Sequence, residues 1–297
     1  NRANLNLLPT SSTPLPRLHA EDTAARWLRS PLGAVIARPW FDALSMQLLS
    51  RWFFPLSRLW AAARMADGSI DKFYREVPME PVPGMDDRLR EALDRFEGVR
   101  AAVNAMEARW QEVFFGPDDV PVHHRVAVEA ARRDRRHAYN MTRRHFRFLK
   151  RGRKVPMIKR DTPTPKAVAA DYENALAHPE TAYAVPETMP DITVSRRVPG
   201  PVGDEFWIRF ESPSARMGDT VYARVYEPKG IVDPPTIVFG HGVCVEFDHW
   251  HGLVDEVFEL CRMGIRVVRP EAPWHGRRVP DGRYGGEAFV AMAPRGA

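Results

Sequence analysis

Two short apolar runs near the carboxyl end constrain the fold most. Thr236, Ile237, Val238 and Phe239 form an uncharged run that ends in Gly240, His241 and Gly242, and a second run over 265–268 closes on Pro270. Residues 250–263 between them carry helical spacing, so the order is strand, helix, strand. Two buried strands joined by a single helix pair in parallel, because only a crossover of a dozen or more residues returns the chain in the same direction. Upstream, Phe206, Ile208 and Phe210 alternate with other residues, as do Val221, Ala223 and Val225. The intervening Ser212, Pro213 and Gly218 are turn formers, which predicts an antiparallel pair over 205–210 and 220–226. Residues 204–297 therefore read as α/β.

The rest of the chain carries helical rather than strand periodicity. Residues 1–20 read as an extended arm, and over 21–64 the stripe Phe41, Leu44, Leu48, Trp52, Leu56 and Leu59 predicts two helices split or kinked at Pro55. A Pro-rich loop over 77–84 precedes a helix with Asp86 as its expected N-cap. Its apolar stripe is Leu89, Leu93, Phe96, Val103, Met106, Trp110 and Phe114, and it ends at Gly116 and Pro117. A long helix is expected over 120–150, turning Val122, Val126, Ala130, Ala138, Met141 and Phe148 inward. The prolines at 156, 163, 165, 179, 186 and 190 then mark a connector with one short helix near 165–176. The expected organisation is a helical region over 1–160, a Pro-rich connector over 161–203 and an α/β region over 204–297.

Charge is unevenly distributed. Residues 125–160 hold fourteen Lys and Arg against Glu129 and Asp134, a net of +12 in a chain whose total is +5, which leaves −7 for everything else. Clustered guanidinium groups suit phosphate-rich surfaces. Tyr139, Phe146 and Phe148 match no nucleic-acid-binding module. Solvation or pairing within the molecule therefore ranks first for this segment, an anionic membrane surface second and nucleic acid last. The aromatic residues over 40–60 favour a membrane-facing or cap role. The longest apolar stretch, 31–63, does not cross a bilayer, because Arg38, Asp42, Arg51 and Arg58 interrupt it. Cys244 and Cys261 are too few for a disulfide framework, so a reducing cytosol is the expected compartment, with membrane association through 125–160 as the variant. The chain starts at Asn1 without a Met and stops abruptly, so both ends read as cut and a lost targeting peptide stays open. Nothing in the sequence fixes an oligomeric state.

Several residues carry potential chemistry. Cys244 reads first as a small inert loop residue and only second as a nucleophile, and Cys261 reads as core. His241, Cys244, Asp248, His249 and His251 cluster without any zinc-ligand spacing, so no metal and no cofactor is expected, and His249 reads as a polar residue at a helix start. His275, Arg277 and Arg278 are candidates for gripping an anionic substrate group, set against the blander reading of a surface loop with ion pairs.

The antiparallel pair, the strand ending in His241 and Gly242, Trp250, the helix, the Gly264 turn and the strand closing on Pro270 together resemble the opening of the α/β-hydrolase fold. The run Trp274, His275, Gly276, Arg277, Arg278, followed by Gly285, Gly286 and Glu287, is similar to the α/β-hydrolase domain-containing protein 18 type branch. The resemblance covers 204–297, about a third of the chain. It implies a partial hydrolase sheet, strands one to four with the first crossover helix, acting on a small ester-like acyl substrate. It also implies that His241 and Gly242 open a loop whose Val243 amide, with Cys244 as substitute, binds a developing oxyanion. A rigid N–H needs no reorganisation there, and losing one such donor costs about 3 kcal/mol of barrier. His249, His275, Arg277 and Arg278 would then face the substrate. The fold's nucleophile sits on a Gly-x-Ser-x-Gly bend, and no serine here qualifies: Ser69 lies between Asp67 and Asp71 at those offsets, Ser214 between Ser212 and Arg216. The stretch is thus expected to be the first half of a catalytic domain, inactive alone, with the 236–239 strand left as an exposed apolar edge. The competing expectation is a non-catalytic binding protein whose basic helices dock to anionic lipid or nucleic acid.

Overall fold

The computed structural model describes residues 30–36, 39–77, 79–81, 83–151, 154–159, 165–182, 184, 188–213, 219–240 and 256–288. The chain is mixed α/β, with a helical amino-terminal region followed by a six-stranded mixed sheet. α1 (Pro31–Ile36) and α2 (Pro39–Leu48) lead through a π-helical turn, Leu49–Phe53, into α3 (Phe54–Ala66). Pro55 has no N–H to donate, and the backbone absorbs this by widening before the proline, with Phe54 N–H donating to Leu49 C=O. The expected break at Pro55 is therefore a π-turn inside continuous helix. α3 ends on the left-handed pair Asp67 and Gly68, and the Ser69 hydroxyl accepts from Lys72 N–H to open α4 (Ile70–Glu76).

α5 (Asp86–Phe115) runs 30 residues. Met85 is its N-cap, and Asp86 sits instead in the first turn, where the helix dipole favours a carboxylate. α6 (Val122–Met141) packs along α5 and tightens into a 3-10 helix, Thr142–Lys150, so the expected single helix over 120–150 changes pitch. Its inward face also differs from the expected one. Val122 and Val126 are 47% and 41% exposed, whereas Val128, Glu129 and Arg132 are buried. Apolar spacing selected the wrong face because two of the buried residues are charged and satisfy each other. Two short helices, α7 (Pro165–Ala177) and α8 (Pro179–Ala182), occupy the connector.

The strands are β1 (Thr193–Val194), β2 (Val198–Pro199), β3 (Gly203–Glu211), β4 (Thr220–Pro228), β5 (Thr236–Val238) and β6 (Arg266–Pro270), with α9 (Glu256–Arg262) preceding β6. Their order is β1-β3-β4-β6-β5, with β2 also on β3. β3 and β4 pair antiparallel with Trp207 opposite Arg224, β4 and β6 pair antiparallel, and β5 pairs parallel with β6 with Val238 opposite Val268. β6, later in sequence, thus lies between β4 and β5. β5 is the edge strand of the described sheet and is exposed, Val238 to 70%, as expected of an apolar edge at 236–239 although its uncharged sequence alone reads as a buried strand.

An apolar core holds the helices together: Leu59, Phe73, Leu89, Leu93, Phe96 and Phe146 expose none of their surface, each worth about 1.5–3 kcal/mol of burial. The far end of the chain enters this core. Tyr284 packs there, and Arg58 Nη1 donates to both carboxylate oxygens of Glu287 at 2.9 and 3.1 Å. Glu287 also accepts from Lys159 N–H and Tyr284 N–H, the satisfaction a buried carboxylate requires. Among the described residues no helix is long and apolar enough to cross a membrane.

Candidate functional site

A second aromatic cluster welds the carboxyl half of α5 to the sheet. Trp110 has no exposed surface, stacks on Phe114 at 5.1 Å and meets Trp207 edge-on at 5.2 Å. Its indole N–H donates to Glu129 Oε2 at 2.9 Å, and the guanidinium groups of Arg132 and Arg277 lie 4.8 and 4.7 Å from its ring centre. Arg196 fixes the end of α5 by donating to the C=O groups of Val113 and Phe114 from its side chain and its N–H.

Beside this cluster lies a cavity of about 660 Å³ between helices and sheet. Helical spacing puts Val103, Glu107 and Gln111 of α5 on one of its walls and Arg132, Arg136 and Tyr139 of α6 on another. Alternation along β4 turns Tyr222, Arg224 and Tyr226 into it, and the segment after β6 adds Glu271, Gly276 and Arg277. That segment is bent through two left-handed residues, Trp274 at φ 60 and Gly276 at φ 56. A Cβ on Gly276 would sit 2.9 Å from the Glu271 carboxyl carbon.

The polar groups form a linked network. Arg277 donates from Nε to Glu107 Oε1 and from Nη1 to Glu271 Oε1, each at 2.6 Å, while its N–H reaches Glu271 Oε2 at 3.0 Å. Arg132 forks onto Glu129 at 2.9 and 3.1 Å, Arg133 adds a bond to Glu129 at 2.8 Å, and Arg224 pairs with Glu205. Gln111 ties the wall to the sheet by donating to the Tyr222 hydroxyl and accepting from Arg209, both at 2.8 Å.

Burial alone raises the pKa of Glu107, but Arg277, Arg136 and Arg132 outweigh it and hold the carboxyl down at about 2. Burial likewise opposes the Glu129 charge, and Arg132, with Arg224 and Arg133, brings that carboxyl to about 2. Burial works against the charge on Arg277 as well, yet Glu271 and Glu107 raise its pKa. Carboxylates this acidic and this firmly paired are poor proton acceptors near neutrality. The cavity can bind and orient an anionic or polar ligand, but its carboxylates are not built to move protons.

Of the residues singled out from sequence, Arg277 lines this cavity. His275 and Arg278 do not line it: His275 is 4% exposed with Nδ1 2.8 Å from Pro273 C=O, and Arg278 pairs with Asp219 at 2.6 and 3.2 Å and donates to Glu271 C=O. The ion pairs weighed for this loop are present, though buried rather than at the surface. His241, Gly242, Val243, Cys244 and His249 lie outside the described residues. Cys261 is in the core with Sγ 3.6 Å from Tyr226 C=O. Among the described residues no group of three or more His, Cys, Asp or Glu is placed to hold a metal ion.

Glu107, Glu129, Arg132, Arg136 and Arg224 were not singled out. The charge imbalance was their signal, since a net +12 segment beside a net −7 remainder implies that some cations turn inward. No family model matches the chain, and neither does any curated protein or solved structure.

Proposed function

We propose that this chain belongs to an enzyme of the α/β-hydrolase type that cleaves a small ester-like acyl substrate, with Val243 N–H as one oxyanion donor and the helix–sheet cavity as the substrate's seat. The observation that carries the reading is the parallel register of β5 and β6. Val238 stands opposite Val268 and Phe239 N–H donates to Val268 C=O at 2.8 Å, so β5 ends on the same side of the sheet as β6, whose next residue, Glu271, lines the cavity. Carboxyl ends of parallel strands are where open α/β sheets bind ligands. The strand order agrees with the reading, because an antiparallel pair followed by an inner β6 and an outer β5 leaves the β5 edge for the strand that follows in that fold.

The test is labelling of the full-length protein by a fluorophosphonate together with turnover of nitrophenyl esters. Val243→Pro, which deletes the amide hydrogen, lowers kcat by about 100-fold or more, while Val243→Ala, which keeps it, stays near wild type. Absence of both labelling and turnover in the full-length protein, or equal activity of the two variants, overturns the reading.

A second reading, docking of the helical region to an anionic membrane surface, draws on one observation. Trp40, Leu44, Met46, Leu48 and Trp52 are between 42% and 55% exposed along α2 and the π-turn, and Lys150 Nζ sits 4.2 Å from the Trp52 ring centre. Binding to phosphatidylserine vesicles that falls with salt and with Trp52→Ser supports docking; equal partition onto neutral vesicles contradicts it.

A further inference from the structure

The cavity carries more positive charge than its carboxylates answer. Seven arginines line it against three carboxylates, each of which already accepts from an arginine, Glu107 through Oε1 alone. Asp219 takes both of its bonds from Arg278, which is not a lining residue, and Glu271 takes Arg277 twice. Behind the wall, Glu129 and Glu205 hold Arg132, Arg133 and Arg224. Two donors stay without a proper acceptor. Arg277 Nη2 is buried and makes no hydrogen bond. Arg136, half-buried, approaches Glu107 only at 3.9 Å, and Glu107 Oε2 has no hydrogen bond even though Arg132 Nη1 is 3.8 Å away.

A buried guanidinium N–H without an acceptor is costly to maintain, and the planar fork of arginine matches the oxygens of a carboxylate or phosphate. Arg136 and Arg277 both converge on the one carboxylate of Glu107, so they stand within reach of a single small anion. We propose that the cavity is an oxyanion-binding site in which Arg136 and Arg277 grip a carboxylate or phosphate group of the ligand. Where the acyl-hydrolase reading holds, and only there, this group belongs to the substrate: an acyl compound with a compact anionic end lodged in the cavity.

The test reads binding, not turnover. Inorganic phosphate, succinate and neutral succinamide are titrated calorimetrically into the full-length protein at low salt. Wild type binds phosphate or succinate but not succinamide, and the anion that binds names the group. Arg136→Gln weakens that binding about tenfold. Arg135→Gln, an exposed neighbour on the same helix, leaves it unchanged. Arg136 meets Glu107 only at 3.9 Å, so its glutamine variant lowers the thermal midpoint slightly but stays folded; Arg277→Lys, a second variant, keeps the charge but loses the fork and also weakens binding. No binding of either anion by wild type, or equal losses in the 135 and 136 variants, overturns the proposal. Anion binding in a protein that neither labels nor hydrolyses leaves this site standing and removes the hydrolase reading; turnover without anion binding does the reverse.

Discussion

Phe96 and Trp110 lie roughly four turns apart on α5, and both are fully buried, yet their surroundings share almost nothing. Phe96 sits among Trp60, Tyr139 and Phe146, with ring centres 5.5 to 6.3 Å away. Trp110 sits beneath two guanidinium groups and hydrogen-bonds a carboxylate. The first region is held mainly by area removed from water, a contribution that does not itself change with pH. The second is held by charges that stay buried only while each has its partner, which makes it conditional.

Removing one member of each region separates them most sharply. Phe96→Ala and Glu129→Ala each destabilise the fold by about 3–5 kcal/mol in urea unfolding, the first by leaving a cavity and the second by stranding Arg132. Adding Arg132→Met to Glu129→Ala restores most of the loss, whereas no single partner change rescues Phe96→Ala. If Arg132→Met brings nothing back, the interface is not organised by pairing.

Acid divides the regions next. Glu107 and Glu129 titrate at about 2 in the folded protein, below the ordinary glutamate value of 4.5. A lowered folded pKa gives stability that is complete above the unfolded value and disappears as pH falls, so the loss lies between about 4.5 and about 2, with about two protons taken up on unfolding. Unfolding midpoints measured across that range should slope steeply in wild type and less in Glu107→Gln. An unchanged slope in the variant would detach Glu107 from the network.

Smaller effects follow from the bend after β6. Gly276→Ala forces a Cβ into a left-handed residue beside Glu271 and costs about 1–3 kcal/mol, read by thermal unfolding. Arg135→Gln, on the exposed face of α6, changes stability by less than about 0.5 kcal/mol.

How much of this was legible in the sequence follows the same division. The aromatic core was, because Leu89, Leu93 and Phe96 recur at helical spacing and Gly116 with Pro117 stops the helix. The long antiparallel pair was legible too, through its alternation. β1 and β2 were not, since two-residue strands in a proline-rich stretch leave no period to detect. Pairing within the molecule was among the first-ranked readings for the segment holding Glu129 and Arg132, but their burial was not legible, because a buried ion pair looks, residue by residue, like a solvated face. Arg277 was found through its place after a strand, but its partner Glu107 lies 170 residues away on a helix, and no local pattern connects them.

The most direct measurement is the structure of the full-length protein bound to a carboxylate-bearing acyl phosphonate. The account predicts the phosphonate oxygen at the Val243 amide and the carboxylate between Arg136 and Arg277. A phosphonate seated elsewhere, with the cavity empty and the 243 amide turned from it, would contradict the account.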